Sequence, residues 1–302
     1  MNMNPTILFN MVKASLPETL HRNVLIVGSL AAAYYHRERL TDQVVATKDA
    51  DVIVHPAGAV QECVDIAKIL LAAGWRRTPQ CYPRDNRDPA DQLRAIRLHP
   101  RDTEAFFIEL LGLPQPGQQD ARTWVPCQLD DGWYGIPCFR FMALLESDRR
   151  ETELGIQHAS PPLMALANLL SHPEIGTARM DGDIEGRSIL RSAKDLGRVL
   201  ALARLEPHGT EDWLPIWIGG LTQHLAADAR ALGATAGSGL RQLLADGAAL
   251  EEAHFTTSVG LLRGHGVTID QLKIVGDRLV LDIIEPLAQW SAENGRNDAV
   301  AL

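Results

Sequence analysis

Hydrophobic residues follow two different patterns along this chain. The first half contains short apolar runs at 24–27, 49–54 and 106–111, each bounded by glycine, proline or polar residues. Runs of this length and setting predict strands. Residues 30–40 and 60–73 have the composition and spacing of helices, and the second of these is expected to end at Gly74. Residues 93–99, 133–139 and 154–158 predict further strands.

From residue 160 onward the pattern becomes helical. Ser160 supplies a capping hydroxyl, and Pro161 and Pro162 follow it in the first helical turn. Apolar residues at helical spacing then predict helices over 162–171, 185–205, 211–232, 238–253 and 268–293. A β-rich half followed by an all-helical half predicts an α+β protein, with a small mixed-sheet domain at 1–160 and a helical domain at 161–302.

The composition is that of a globular chain without a membrane segment. Among the 302 residues, 46% are hydrophobic and 22% charged, and no apolar run approaches the roughly 20 residues of a membrane helix. The N-terminus has neither a basic leader nor a cleavage site, which predicts a cytoplasmic location. The four cysteines lie far apart and predict buried, reduced thiols rather than a zinc site.

Charge is unevenly distributed. The net charge is -9, and the acidic excess lies in residues 151–302, where 12 basic residues stand against 20 acidic ones. Seven arginines lie within residues 76–101, which we call the arginine cluster: Arg76, Arg77, Arg84, Arg87, Arg94, Arg97 and Arg101. Two interpretations of this cluster remain open, a solvated surface and a binding surface for phosphate or RNA.

Three carboxylates carry the strongest chemical signal. Asp49 and Asp51 are two residues apart on a predicted strand, so their side chains project from the same face. Glu109 lies among apolar residues on another predicted strand, with Ile108 and Leu110 facing the core. Crowded carboxylates repel one another unless a cation lies between them, and Mg²⁺ prefers oxygen ligands. The pattern predicts a two-metal site in which Asp49, Asp51 and Glu109 are ligands and catalytic residues.

Gly28 and Ser29 form a second candidate site. They stand between a predicted strand and a predicted helix, where a glycine lets phosphate approach the backbone. The amides at the start of the helix favour an anion, and the Ser29 hydroxyl adds a donor.

The order of these segments resembles the nucleotidyltransferase fold superfamily, whose signature is an apolar strand, Gly-Gly or Gly-Ser, a helix, a D-x-[DE] strand and a later strand acid. The matching segments are 24–29, 48–54 and 108–111. Residues 45–51 look similar to a motif of the bacterial AbiEii-like and minimal nucleotidyltransferase branches. This chain departs from the family pattern in two ways. Nineteen residues separate Ser29 from Asp49, and Asn168 stands where that branch often has a lysine.

This resemblance implies an enzyme that transfers a nucleoside monophosphate from a nucleoside triphosphate to a hydroxyl acceptor. Lys48 is then a nucleotide-binding residue, Lys194 contacts the triphosphate, and Asp195 orients Lys194 or a base. The acceptor is open between an RNA end, a protein side chain and a small molecule, and the AbiEii-like branch raises a toxin–antitoxin role with a protein partner. Two alternatives remain: a non-catalytic nucleotide-binding or regulatory protein with the same fold, and an unrelated α/β domain whose acids are surface charges.

Overall fold

The computed structural model describes residues 2–47, 49–55, 60–77, 94–104, 106–114, 120, 122–180 and 182–293. The chain forms two compact units. The first contains residues 1–34 and 44–160, and the second contains residues 35–43 and 161–302. The segment 35–43 therefore belongs with the helical half of the chain, a grouping that the sequence did not predict.

A mixed seven-stranded sheet organises the first unit. Its strands, in chain order, are β2 (Val24–Val27), β4 (Asp49–Val54), β5 (Arg76–Arg77), β7 (Arg97–His99), β8 (Phe107–Leu111), β11 (Arg149–Glu151) and β12 (Gln157–Ala159). Their spatial order is β11-β12-β2-β4-β8-β7-β5. β4 is antiparallel to β2 and parallel to β8, and β8 is antiparallel to β7. The three central strands β2, β4 and β8 carry the candidate site.

Two smaller sheets complete the strands that the structure describes. β6 (Arg94–Ala95), β9 (Arg122–Leu129) and β10 (Gly132–Phe139) form one, and β1 (Asn2–Met3) pairs with β3 (Val45–Ala46) in the other. The strand β9 was not predicted from the sequence, because Pro126 and the adjacent apolar residues Trp124 and Val125 break its alternation.

The helices of the first unit are α1 (Pro5–Ser15), α2 (Glu18–His21), α3 (Gly28–Tyr35) and α4 (Val60–Ala72). Asn4 caps α1 by accepting hydrogen bonds from the amides of Thr6 and Ile7. Phe9 of α1 stacks on Tyr34 of α3, with ring centroids 4.1 Å apart. These contacts fix α1 and α3 within one buried core.

The described part of the second unit is helical. Its helices are α5 (Pro161–Ser171), α6 (Arg191–Leu205), α7 (Trp213–His224), α8 (Ala229–Thr235), α9 (Ser238–Ala245), α10 (Gly247–Val259), α11 (Ile269–Leu279) and α12 (Glu285–Glu293), with a π-helical turn at Val280–Ile284. Trp213 and Trp217 are buried, and the Trp217 indole donates to the carbonyl of Pro162. Both tryptophans therefore belong to the core of this unit, and the predicted α+β class is confirmed.

Several predicted helices differ from the observed ones. The helix expected over 185–205 begins at Arg191, because Glu185 and Gly186 have positive φ angles and form a tight turn between Ile184 and Arg187. The helix expected over 30–40 ends at Tyr35 and is followed by a 3₁₀ turn at Arg37–Arg39.

Other breaks lie in the later helices. The helix expected over 211–232 is interrupted between α7 and α8, and the one expected over 268–293 contains the π-helical turn. The segment 238–253 divides at Asp246, which accepts hydrogen bonds from the amides of Ala248 and Ala249 and so starts α10. Within the described residues, no helix combines the length and the apolarity needed to cross a membrane.

Candidate functional site

A row of paired residues crosses four strands of the large sheet. Val27 on β2 pairs with Asp51 on β4, Asp51 pairs with Glu109 on β8, and Glu109 pairs with Arg97 on β7. Neighbouring strands lie about 4.8 Å apart, so paired residues project side by side. The strand register therefore brings Asp51 next to Glu109, as the sequence pattern required.

Asp51 also lies against the Gly-Ser turn. Gly28 follows Val27 directly and has a φ of +71°, a conformation that favours glycine. A Cβ at this position would stand 2.9 Å from Oδ2 of Asp51. Ser29 follows in the first turn of α3 and is half-buried. The turn and the carboxylate therefore occupy one place at the end of β2.

Asp49 lies two residues earlier on β4, and Ala50 between them is fully buried. The Thr47 hydroxyl donates to Oδ1 of Asp49 over 2.8 Å and is itself buried. This contact with a residue two positions earlier in the sequence orients the Asp49 carboxylate. The sequence analysis did not identify Thr47, although a hydroxyl two residues before an aspartate is a common local partner.

Glu109 is the most buried of the three carboxylates, with 8% of its surface exposed. Its Oε2 accepts a hydrogen bond from Nε of Arg97 at 3.0 Å and forms an ion pair with Nη2 of Arg97 at 2.9 Å. Burial raises the pKa of the Glu109 carboxyl; the Arg97 charge opposes this rise, and the neighbouring Asp49 adds to it. Glu109 is thus electrostatically coupled both to Asp49 and to a cation.

The Arg97 guanidinium also rests on the ring of Phe107, 5.0 Å from its centroid. Arg122 on β9 contributes a second positive charge near Glu109 and lies over the rings of Trp124 and Phe139. Arg97 belongs to the arginine cluster, and its pairing with Glu109 was not predicted from the sequence. Only the register between β7 and β8 reveals that pairing.

The oxygen donors of Asp49 and Asp51 suit a hard cation such as Mg²⁺, which commonly binds one or two carboxylates together with substrate phosphates. Across the residues that the structure describes, no group of three or more His, Cys, Asp or Glu side chains is arranged to hold a metal ion. Arg97 provides a physical reason, since it occupies Oε2 of Glu109. The arrangement fits metal binding by the aspartate pair, and Glu109 as a third ligand stays a prediction.

The remaining nucleotide-binding candidates are not part of this row. Lys48 lies outside the described residues. Lys194 and Asp195 lie on α6 in the second unit, and their contact with a triphosphate stays a prediction. Burial would raise the pKa of Asp195, but a hydrogen bond from His172 and the charges of Arg198 and Lys194 lower it to about 2. Asp195 is therefore ionised at neutral pH and fixed by His172, with 2.9 Å between Nε2 and Oδ2.

Arg187, Arg191, Lys194 and Arg198 have helical spacing in the sequence, but only the last three lie on α6. Arg187 precedes α6 and lies over the ring of Phe255 instead of extending a helical stripe. Arg191 and Arg198 remain on α6, and Arg198 lies 3.8 Å from Asp195. Arg187 therefore does not lie on the helix of Lys194, because the turn at residues 185 and 186 precedes α6.

Most described members of the arginine cluster are engaged by acids. Arg76 pairs with Glu104, Arg77 with Asp131 and Arg97 with Glu109. Arg84 and Arg87 lie outside the described residues. These ion pairs reduce the positive charge that the cluster offers to an RNA.

The described cysteines agree with their prediction. Cys63, Cys127 and Cys138 are buried free thiols, and Cys81 lies outside the described residues. Burial raises the pKa of Cys127 and of Cys138 to about 11, so both thiols are protonated at neutral pH.

Comparison with known proteins gives two structural similarities. No protein-family model matches the chain, and no curated protein matches it significantly. The structure of JHP933 from Helicobacter pylori is similar over 99% of this chain and 97% of its own, with 11% identity and a TM-score of 0.35. A proposed nucleotidyltransferase from H. pylori is similar over 97% of this chain and 96% of its own, with 10% identity and a TM-score of 0.36. These TM-scores are too low to assign a common fold, and the chain is not assigned to a family on this basis.

Proposed function

We propose that the protein is a nucleotidyltransferase that moves a nucleoside monophosphate from a nucleoside triphosphate to a hydroxyl acceptor. One observation carries the proposal: Asp51 is flanked by the Gly28 turn on one side and by Glu109 on the other. Three separate sequence features, the strand–Gly-Ser–helix unit, the Asp-x-Asp strand and the isolated strand acid, therefore meet in one row. Their meeting is what the transfer reaction needs.

The carboxylates and the Gly-Ser turn each have a role in this proposal. Asp49 and Asp51 hold Mg²⁺, and Glu109 adds a third carboxylate beside them. The glycine at position 28 leaves the backbone open to a phosphate, and Ser29 donates its hydroxyl to a phosphate oxygen. When bound, Mg²⁺ would neutralise phosphate charge and acidify the acceptor hydroxyl, in a two-ion arrangement if Glu109 joins the ligands.

The bond changes are those of an in-line displacement. The acceptor oxygen forms a bond to the α-phosphorus, the bond from that phosphorus to the bridging oxygen breaks, and pyrophosphate leaves. An ionised carboxylate of the row accepts the hydroxyl proton. Catalysis of this kind depends on positioning and charge more than on a covalent intermediate.

A second candidate function is non-catalytic nucleotide binding by the same row. The ion pair between Glu109 and Arg97 favours it, because a carboxylate neutralised by arginine is a weaker ligand and a weaker base. Binding of a triphosphate without release of pyrophosphate would support this function over the enzyme.

Replacing Asp51 separates catalysis from folding. In the Asp51→Asn variant we expect pyrophosphate release from each of the four nucleoside triphosphates to fall by about 10³-fold, equivalent to about 4 kcal/mol in the barrier. The melting temperature without Mg²⁺ should hold or rise, because one of the crowded charges is removed. Asp65→Asn is the matched control, since Asp65 is an exposed acid on α4 of the same unit.

A drop of several degrees in melting temperature with pyrophosphate release intact would show that Asp51 is structural. Loss of pyrophosphate release in both Asp51→Asn and Asp65→Asn would show that the assay responds to any lost negative charge and not to the position of Asp51. Isothermal titration with each triphosphate, with and without Mg²⁺, distinguishes the enzyme from the non-catalytic binder.

A further inference from the structure

We infer that Arg97 is an internal counter-ion that exchanges with Mg²⁺: it neutralises Glu109 in the metal-free protein and releases that carboxylate when metal binds at Asp49 and Asp51. This inference rests on the proposed metal site and adds a residue to it. Arg97 is then a positioning residue, because it acts through Glu109.

The geometry shows how directly Arg97 occupies Glu109. Nε of the guanidinium donates a hydrogen bond to Oε2 over 3.0 Å, and Nη2 forms an ion pair with the same oxygen at 2.9 Å. Hydrogen bonds between charged groups at these distances are strong, and burial strengthens them. A metal ion that binds Oε2 must therefore displace both guanidinium nitrogens from this oxygen.

The surroundings explain why a counter-ion is required at this position. Glu109 is buried and lies beside Asp49, which disfavours the ionised form of Glu109. A buried carboxylate near another carboxylate needs a compensating positive charge. In the absence of a divalent cation, Arg97 is the closely bonded cation that supplies it.

The backbone and the ring of Phe107 hold Arg97 in this place. Arg97 is the antiparallel partner of Glu109, and its guanidinium packs over Phe107, the residue two positions before Glu109 on β8. Glu109 and its counter-ion are thus both built on rigid strands. Asp51 is the register partner of Glu109 on the other side, so the carboxylate that Arg97 neutralises belongs to the residue beside a proposed metal ligand.

The chain offers a closely matched control pair. Arg77 also pairs with a carboxylate, that of Asp131, and also lies over an aromatic ring, that of Tyr134. The Asp131 side chain is 47% exposed and the Glu109 side chain only 11%. Replacing Arg77 removes the same charge and the same kind of stacking from the same unit without touching the three carboxylates.

The test compares Arg97→Met with Arg77→Met in thermal melts and in calorimetric titrations with Mg²⁺ alone. Without Mg²⁺, Arg97→Met should melt several degrees lower than the wild type, since Glu109 loses its counter-ion. With Mg²⁺, Arg97→Met should bind the ion roughly three- to tenfold more tightly than the wild type, because Glu109 is then available as a ligand. Arg77→Met should bind Mg²⁺ as the wild type does.

Two further variants keep the test decisive. Arg97→Lys preserves the charge but cannot contact Oε2 with two nitrogens, so its Mg²⁺ affinity should lie between those of the wild type and Arg97→Met. Arg97→Met combined with Glu109→Gln should lose the gain in affinity, because the gain acts through Glu109.

Equal Mg²⁺ affinity in Arg97→Met and the wild type, with binding still abolished by Asp51→Asn, would overturn the exchange and leave the proposed metal site in place. Weaker binding in Arg97→Met would also overturn it, because Arg97 would then assist the ligand and not compete with metal. Absence of Mg²⁺ binding in every variant, with or without triphosphate, would remove the metal site itself and the inference with it.

Discussion

Gly28 stands where the backbone is left-handed and a side chain has no room. Its φ is +71°, and an added Cβ would meet the Asp51 carboxylate at 2.9 Å. Two separate requirements therefore select glycine at this position. One is conformational, and the other is the proximity of a proposed metal ligand.

A pair of glycine substitutions separates these two requirements. Gly155 has a similar φ of +77°, but an added Cβ there meets nothing within 4 Å. We expect Gly155→Ala to lower the free energy of unfolding by about 1 kcal/mol through backbone strain alone. Gly28→Ala should lower it by about 2–4 kcal/mol, because the contact with Asp51 adds to the strain.

Urea unfolding of both variants measures the two costs, and pyrophosphate release measures the effect on the site. Only Gly28→Ala should lose activity, because only there does the new methyl group displace the Asp51 carboxylate. Equal destabilisation of the two variants, with unchanged release, would contradict the role given to this close approach.

At the scale of elements, the sequence predicted the central strands well and the helix boundaries poorly. β4 was identified correctly because alternating Asp49, Ala50 and Asp51 lead into an apolar run that only a half-buried strand accommodates. The start of α6 was placed too early, since Ile189 and Leu190 have helical spacing to Ala193. The intervening turn depends on positive φ at Glu185, which glutamate rarely adopts and no pattern announces.

The candidate site divides in the same way. The residue types and the i, i+2 spacing identified Asp49, Asp51 and Glu109 from the sequence alone. The pairing of Glu109 with Arg97 was beyond reach, because it depends on which strand lies beside β8 and in which register. Local spacing encodes one face of a strand, whereas strand order is decided by the whole sheet.

The crossing of α6 and α10 depends on a missing side chain. A Cβ at Gly197 would lie 3.1 Å from the carbonyl oxygen of Ala253 and 3.2 Å from the hydroxyl of Thr256. Gly197→Ala should therefore lower the free energy of unfolding by about 1–3 kcal/mol through overpacking. Gly219→Ala on α7 is the control, since no atom lies within 4 Å of that added methyl group.

In this control the helix propensity of alanine acts alone and should raise the free energy of unfolding by about 0.5–1 kcal/mol. Chemical unfolding followed by circular dichroism measures both changes. A stabilising effect of alanine at both positions would mean that the two helices can move apart without cost.

At the scale of the whole molecule, the second unit is discontinuous in sequence. Residues 35–43 belong to it although they are inserted between segments of the first unit. Arg39 donates to the carbonyl of Leu205 at the end of α6 over 2.7 Å, and Thr41 lies against Gly264. The early segment thus fills a place among helices that come more than a hundred residues later.

Truncation tests the contribution of this segment. A fragment of residues 161–302 should unfold at a lower urea concentration than the helical unit of the full chain, because the last turn of α6 loses its partner. Joining residues 35–43 to the fragment through a flexible glycine–serine linker should restore part of the loss. An unchanged urea midpoint in the fragment without residues 35–43 would show that this segment does not stabilise the helical unit.

The same discontinuity has a consequence for synthesis on the ribosome. Residues 35–43 leave the exit tunnel early, but their contacts Leu205 and Gly264 are added more than a hundred residues later. At elongation rates of about 5–20 residues per second, this interval is on the order of tens of seconds. Leu40, which lies in the same segment, is buried in the finished protein. The first unit therefore forms while the segment 35–43 within it still lacks these contacts. Slower elongation would lengthen the exposure of the apolar Leu40 to chaperones and proteases.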